Sequence, residues 1–129
     1  MSLMSPTFGE VEDRMSILLL KIRFGLAQGR GVSHFEKEFA DLTAWAFENL
    51  PDSDDEVNWR AYTRAAAELQ IVNLLLWQET DRQQGLVASS SPYDGLDCAM
   101  RLHELNSERY ALRAEIDAAC GVVAGPEKL

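Results

Sequence analysis

Arg109 stands in an apolar stripe between Leu105 and Leu112, where a leucine would be expected. A guanidinium in such a seam must reach water or find carboxylate and carbonyl partners, because an unpaired buried charge is prohibitively costly. Three polar groupings could answer it. The first is Asp13, Arg14 and Lys21, with Arg14, Leu18 and Lys21 on one helical side at i, i+4 and i+7. The second, Asn73, Trp77, Glu79, Asp81 and Arg82, spans and follows an apolar run, and the third is Asn106, Arg109 and Arg113 with Glu115 and Asp117 beyond them. Asp13, Glu79 and Asp81 are the acids available to Arg109. One chemistry these residues allow is an interhelical network of salt bridges and hydrogen bonds that fixes register. The other is a pocket in which Arg14, Lys21 and Arg109 hold a small anion such as phosphate or carboxylate, with Glu79 or Asp81 as general base. Buried ionic networks also occur where nothing binds, which weights the reading toward the network.

Other chemistries leave no trace. The chain has no glycine-rich phosphate loop, no H-E-x-x-H, no CxxC and no nucleophile elbow. Neither His34 nor His103 has an acid at the Glu-x-x-His spacing of di-iron bundles, so neither a metal nor a cofactor is expected.

Four helices must position these groups, and four hydroxyl residues, each with an acid three places on, mark their starts: Thr7/Glu10, Ser33/Glu36, Ser53/Glu56 and Ser91/Asp94. Gly29 and Gly31, Pro51, Gly85, and Gly121 with Gly125 and Pro126 mark the stops. The predicted helices lie near 8–28, 34–50, 54–84 and 92–120. Apolar residues recur at spacings of three and four, as in Val11, Met15, Leu18 and Ile22 or Leu69, Val72 and Leu76, and not in the alternation of a strand. Short links make neighbours antiparallel, so the prediction is an all-α, up-down-up-down four-helix bundle.

A chain of 129 residues is one domain by size and can bury a core unaided, with 1–6 and 122–129 expected as flexible tails. The net charge of −9, with basic residues scattered among the acids, argues against nucleic acid as a partner. No apolar run approaches the length that spans a bilayer, and no signal peptide is evident, so no membrane partner is expected. Cys98 and Cys120, about 33 Å apart along one predicted helix, cannot pair and suit a reducing cytoplasm. The two long helices must project past the short second one. Val57, Trp59 and Tyr62 at one helix start, with Leu112, Ile116, Val122 and Val123 near the chain's end, are candidates for an uncovered surface, and from them we expect a homodimer.

Three strings, D-R-M-S-I-L-L-L-K-I (13–22), V-N-L-L-L-W-Q-E-T-D-R (72–82) and L-N-S-E-R-Y-A-L-R-A-E-I-D (105–117), resemble the blocks of a bacterial helical-bundle family, a domain of unknown function. Its blocks read roughly D-R-x-S-I-L-x-L-K-I, N-x-x-L-W-x-x-E-D and L-N-x-x-R-x-x-L-x-x-x-I-D. Trp77, Asn106 and Arg109 fall on matching positions, while Thr80 separates Glu79 from Asp81 where that family has adjacent acids. The resemblance implies the same helical fold and no particular activity. The reading taken is a non-catalytic interaction or assembly protein with an interhelical polar network. The alternative is a binder of a small anionic ligand, or an enzyme, using the Arg/Lys/acid pocket.

Overall fold

The computed structural model describes residues 6–51, 56–89 and 92–121. Four helices follow in order: α1 (Phe8–Ala27), α2 (Ser33–Asn49), α3 (Trp59–Ser89) and α4 (Pro92–Ala119). They form an all-α four-helix bundle, and each start and stop has a local cause.

Thr7 closes the expected capping box on α1. Its hydroxyl accepts from the Glu10 amide at 3.2 Å while the Glu10 carboxylate accepts from the Thr7 amide at 3.2 Å. The helix ends where Gly29 takes φ +70° and the Arg30 amide donates to the Gly25 carbonyl at 2.8 Å. The Ser33/Glu36 box does not form: Ser33 is the first helical residue, and Val32 occupies the cap position with no side-chain hydrogen bond. Packing decides this, because Val32 is buried so close to Gly25 that a Cβ there would lie 2.6 Å from the valine side chain.

The third helix starts later than expected, at Trp59 and not near 54. Asn58 caps it, accepting from the Ala61 amide at 3.1 Å, and its own amide donates 2.8 Å to the Ala119 carbonyl at the end of α4. Ser53 and Ser91, expected at two helix starts, lie outside the described residues. So do both expected tails, apart from Pro6. Gly85 does not end α3, which runs through it to Ser89. One glycine costs a long helix about 1 kcal/mol, too little to break it.

Helices α3 and α4 pack along each other, α1 lies across both, and α2 approaches the backbone of α1 alone. Phe8, Ala65, Leu69, Val72, Leu105, Leu112 and Ile116 form the central cluster. No residue of α2 is fully buried. It reaches the cluster through Trp45, Ala46 and Leu50, with the Trp45 ring 5.1 Å from that of Phe8. Helix α2 therefore leans on one edge of a core built by α1, α3 and α4.

The apolar end expected to be uncovered is mostly filled. Val57, Leu112 and Ile116 are buried and Tyr62 is half-buried, because the segment before α3 is tied to the end of α4 and Phe8 packs beside it. Trp59 remains 40 % exposed, and Val122 and Val123 lie outside the described residues. The exposed apolar groups near the start of α4 are Leu96 and Met100. Among the described residues no helix is long and apolar enough to cross a membrane, and no group of three His, Cys, Asp or Glu side chains is placed to hold a metal ion.

Candidate functional site

A polar layer crosses the middle of the bundle. Asp13 and Ser16, three residues apart on α1, share one face; Arg109 and Arg113, four apart, share a face of α4; Asn73 comes from α3. Asp13 is 2 % exposed. The Arg109 Nε donates to its two oxygens at 3.0 and 2.8 Å, Asn73 Nδ2 donates to Oδ1 at 2.9 Å, and Arg113 Nη1 lies 3.4 Å from Oδ2. Asn73 Nδ2 also lies 3.0 Å from the Ser16 hydroxyl, which accepts. Among the described residues no buried side-chain nitrogen or oxygen lacks a hydrogen-bond partner. Both guanidinium groups also stand beside the Tyr110 ring, at 5.9 and 5.1 Å from its centre.

The helices are drawn together just below this layer. The Gly9 amide donates to Asp117 Oδ1 at 2.7 Å, so Asp117 fastens the first turn of α1. A side chain at Gly9 would strike the Arg113 carbonyl, and only glycine permits the approach. Beside it, the Tyr62 hydroxyl donates to the Glu12 carboxylate. Burial and that acid together push the phenol well above its ordinary range.

The other candidates do not join Arg109. Arg14 turns to α2, where its guanidinium grips Glu38 at 2.6 and 2.9 Å. That hydrogen bonding raises the guanidinium and holds the Glu38 carboxyl below its usual range. Lys21 also faces α2, its ammonium 5.3 Å from the centre of the Phe35 ring. The three cations expected to line one anion pocket are thus divided between two helix pairs, because α2 supplies Glu38 to Arg14 and the Phe35 ring, part of its apolar stripe, to Lys21.

Nor do Glu79 and Asp81 meet Arg109, whose carboxylate partner is Asp13. Glu79 is held by Arg82 one turn on, with Arg101 at 3.9 Å. The Arg82 hydrogen bond holds its carboxyl below the ordinary value despite the opposing effect of burial. Arg82 reaches on to Asp97 at 3.3 Å, and the Cys98 thiol donates to the Glu79 carbonyl at 3.5 Å. Burial raises that thiol, as expected of a small side chain filling space. Asp81 is exposed, Trp77 stacks on Phe24 with ring centres 5.2 Å apart, and Asn106 is half-buried on α4.

Sequence reasoning passed over Ser16, Glu38, Arg101 and Gly9. Ser16 could have been found from its i+3 spacing to Asp13. Gly9 carries no signal, since its role depends on the height at which α4 crosses α1.

One hollow borders the layer and a second lies further along the bundle, the two sharing Trp77 and Asp81. The first, of about 340 Å³, is lined by Asn73, Trp77, Thr80, Asp81 and Arg109 among others. The larger, about 600 Å³, lies between the α1–α2 turn and α3 and presents Lys21, Arg30 and His34 beside Phe24 and Trp77, with Asp81 on the far wall. No family model, curated protein or solved structure matches this chain.

Proposed function

We propose that the chain is a non-catalytic interaction protein that assembles as a cytoplasmic homodimer, its central polar layer serving architecture. One observation carries the reading: Asn73 and Arg109 both donate to Asp13, which is almost fully enclosed. A carboxylate so occupied is not poised as a general base, and the Arg109 charge is already balanced by it. Such a layer sets helix register at some expense in stability.

Self-association has a surface of its own. Phe47, 74 % exposed, and Trp59 flank a hollow of about 280 Å³ walled by Met15, Ala46 and Leu50. Paired exposed aromatics around an apolar depression are typical of interaction sites. Two unpaired cysteines, Cys98 and Cys120, support a reducing compartment. The resemblance of the three sequence blocks supports membership of the bacterial helical-bundle family. Sedimentation velocity at micromolar concentration is expected to give a dimer, and Trp59→Glu a folded monomer. A wild-type chain that sediments as a monomer overturns the assembly reading.

A second reading has one observation in its favour, the gathering of Lys21, Arg30 and His34 beside aromatic rings in the larger hollow. It is a site for a small anionic ligand displaced from the Arg109 layer. Thermal unfolding with inorganic phosphate or a sugar phosphate tests it. Stabilisation by either compound that disappears in Lys21→Ala supports it, and no shift at millimolar ligand dismisses it.

A further inference from the structure

The backbone of α2 approaches α1 and neither α3 nor α4, and among the described residues no helix lies over the far side of the α3–α4 seam. There the two helices frame an apolar groove of about 500 Å³. Val72 and Leu112 form its buried floor, and Ile71, 59 % exposed, and Leu75 stand along the α3 wall. The lining residues repeat with the same step on both helices, 68, 71, 72 and 75 on α3 and 108, 111, 112 and 115 on α4. That step is the i, i+3, i+4, i+7 face that normally packs against another helix.

The rim is acidic throughout. Glu68 stands on one wall, and Glu108 and Glu115 two turns apart on the other. None of the three belongs to an ion pair among the described residues, although Asp13, Glu38 and Glu79 each hold an arginine. A symmetric contact between two copies would set this patch against itself, acid against acid, in a chain already at −9. An anionic membrane surface would be repelled for the same reason.

We infer that the α3–α4 groove is a docking site for a helix of another protein, amphipathic and flanked by lysine or arginine. An apolar ridge of that helix lies on Val72 and Leu112 against Ile71, while its basic flanks meet Glu68, Glu108 and Glu115. The mode is helix-in-groove recognition, with burial supplying affinity and the rim supplying orientation and choice of partner. The surface is separate from the Phe47 and Trp59 patch, so the two readings fail separately.

The test uses the full chain and two labelled synthetic helices of about 18 residues. Both carry leucine at i, i+3, i+4 and i+7; one has lysine flanks and the other glutamate flanks. Fluorescence anisotropy is expected to show micromolar binding of the lysine helix and none of its twin. Reversing Glu68, Glu108 and Glu115 to lysine should weaken the lysine helix about tenfold or more and admit the twin. Reversing Glu36, Glu48 and Glu56 instead gives the same net charge on other surfaces and should change binding little. Ile71→Asp, checked for folding by circular dichroism, should abolish binding, while Trp59→Glu should retain it. Equal loss in the two triple variants, equal binding of both helices, or no binding at all overturns the inference. A wild-type dimer that Ile71→Asp dissociates also overturns it, because the groove is then a self-interface.

Discussion

Asp13 and Glu68 are acids in neighbouring seams of the same bundle, and their surroundings differ in kind. Asp13 lies inside the α1–α3–α4 junction, where two arginines and an asparagine meet it. Glu68 lies on the opposite flank of α3 beside exposed isoleucine, and no cation is paired with it among the described residues. The comparison shows where this sequence balances charge and where it leaves it unbalanced. A matched acid is part of the fold, whereas unmatched acids around an apolar groove are available to something else.

The strongest test of the matched region is Asp13→Ala. Removing the carboxylate leaves two guanidinium groups without their shared partner, a loss that typically costs 3–5 kcal/mol in a fully buried pair. Arg109 keeps a path to solvent, so roughly 3 kcal/mol by urea denaturation is expected here. Asp13→Leu combined with Arg109→Met should recover part of that loss, since apolar replacement of a whole buried pair is often near neutral. A loss below about 1 kcal/mol for Asp13→Ala would remove the distinction between the two seams.

Next in size is Gly9→Ala. At an unconstrained helical site alanine stabilises by up to about 1 kcal/mol relative to glycine. At Gly9 the added carbon meets the Arg113 backbone, which cannot rotate aside as a side chain could. A net loss of about 2 kcal/mol is therefore expected, and any gain in melting temperature would show that α1 and α4 are free to separate.

Parts of this arrangement were legible in advance. Arg109 announced itself by interrupting the Leu105–Leu112 stripe, and Asp13 was among its expected partners. Three polar blocks do come from the three helices that build the core. Which acid wins was not legible, because Asp13, Glu79 and Asp81 are equivalent in type and only the heights of the helices separate them. Glu79 instead finds Arg82 within its own helix, a local contact that spacing could have shown. The four helices were readable from periodicity, with a cap of the expected kind formed at Thr7. The start of α2 was legible to within one residue but its cap was not, since buried Val32 takes the place expected of Ser33, and the start of α3 was not, since it is set by Asn58 bound to α4.

The pH dependence of unfolding should reveal smaller differences. Glu79 and Glu38 are held below their ordinary value of 4.5 by arginine, so their contribution is present above that pH. It is lost as pH falls through the lower folded values. Glu79→Gln should flatten this acid limb. At the alkaline end burial raises the Cys120 thiol from 9.0 to about 11, so the folded state favours the neutral form. The stabilisation is complete below pH 9 and disappears as pH rises through about 11. Cys120→Ala should reduce the part of the alkaline decline that begins first, the remainder of which belongs to the raised Cys98 thiol, while that of Tyr62, whose ordinary value is 10.0, appears later. Chemical denaturation across both limbs would separate the contributions.

The smallest expected effect bears most directly on the unmatched region. Replacing Glu68, Glu108 and Glu115 together by glutamine removes three charges without changing side-chain shape. If these acids have no role in the fold, stability should stay within about 0.5 kcal/mol of the wild type. The sign should favour the variant, because carboxylates gathered around one groove repel each other and the native chain bears that strain. Added salt screens such repulsion, so the difference should shrink between 0.01 and 0.15 M ionic strength, as the screening length falls from about 30 to 8 Å. A triple variant that instead unfolds more than about 1 kcal/mol sooner would mean that these glutamates have partners in the folded chain. The groove would then be a second matched seam, and its charge would no longer point to a basic helix.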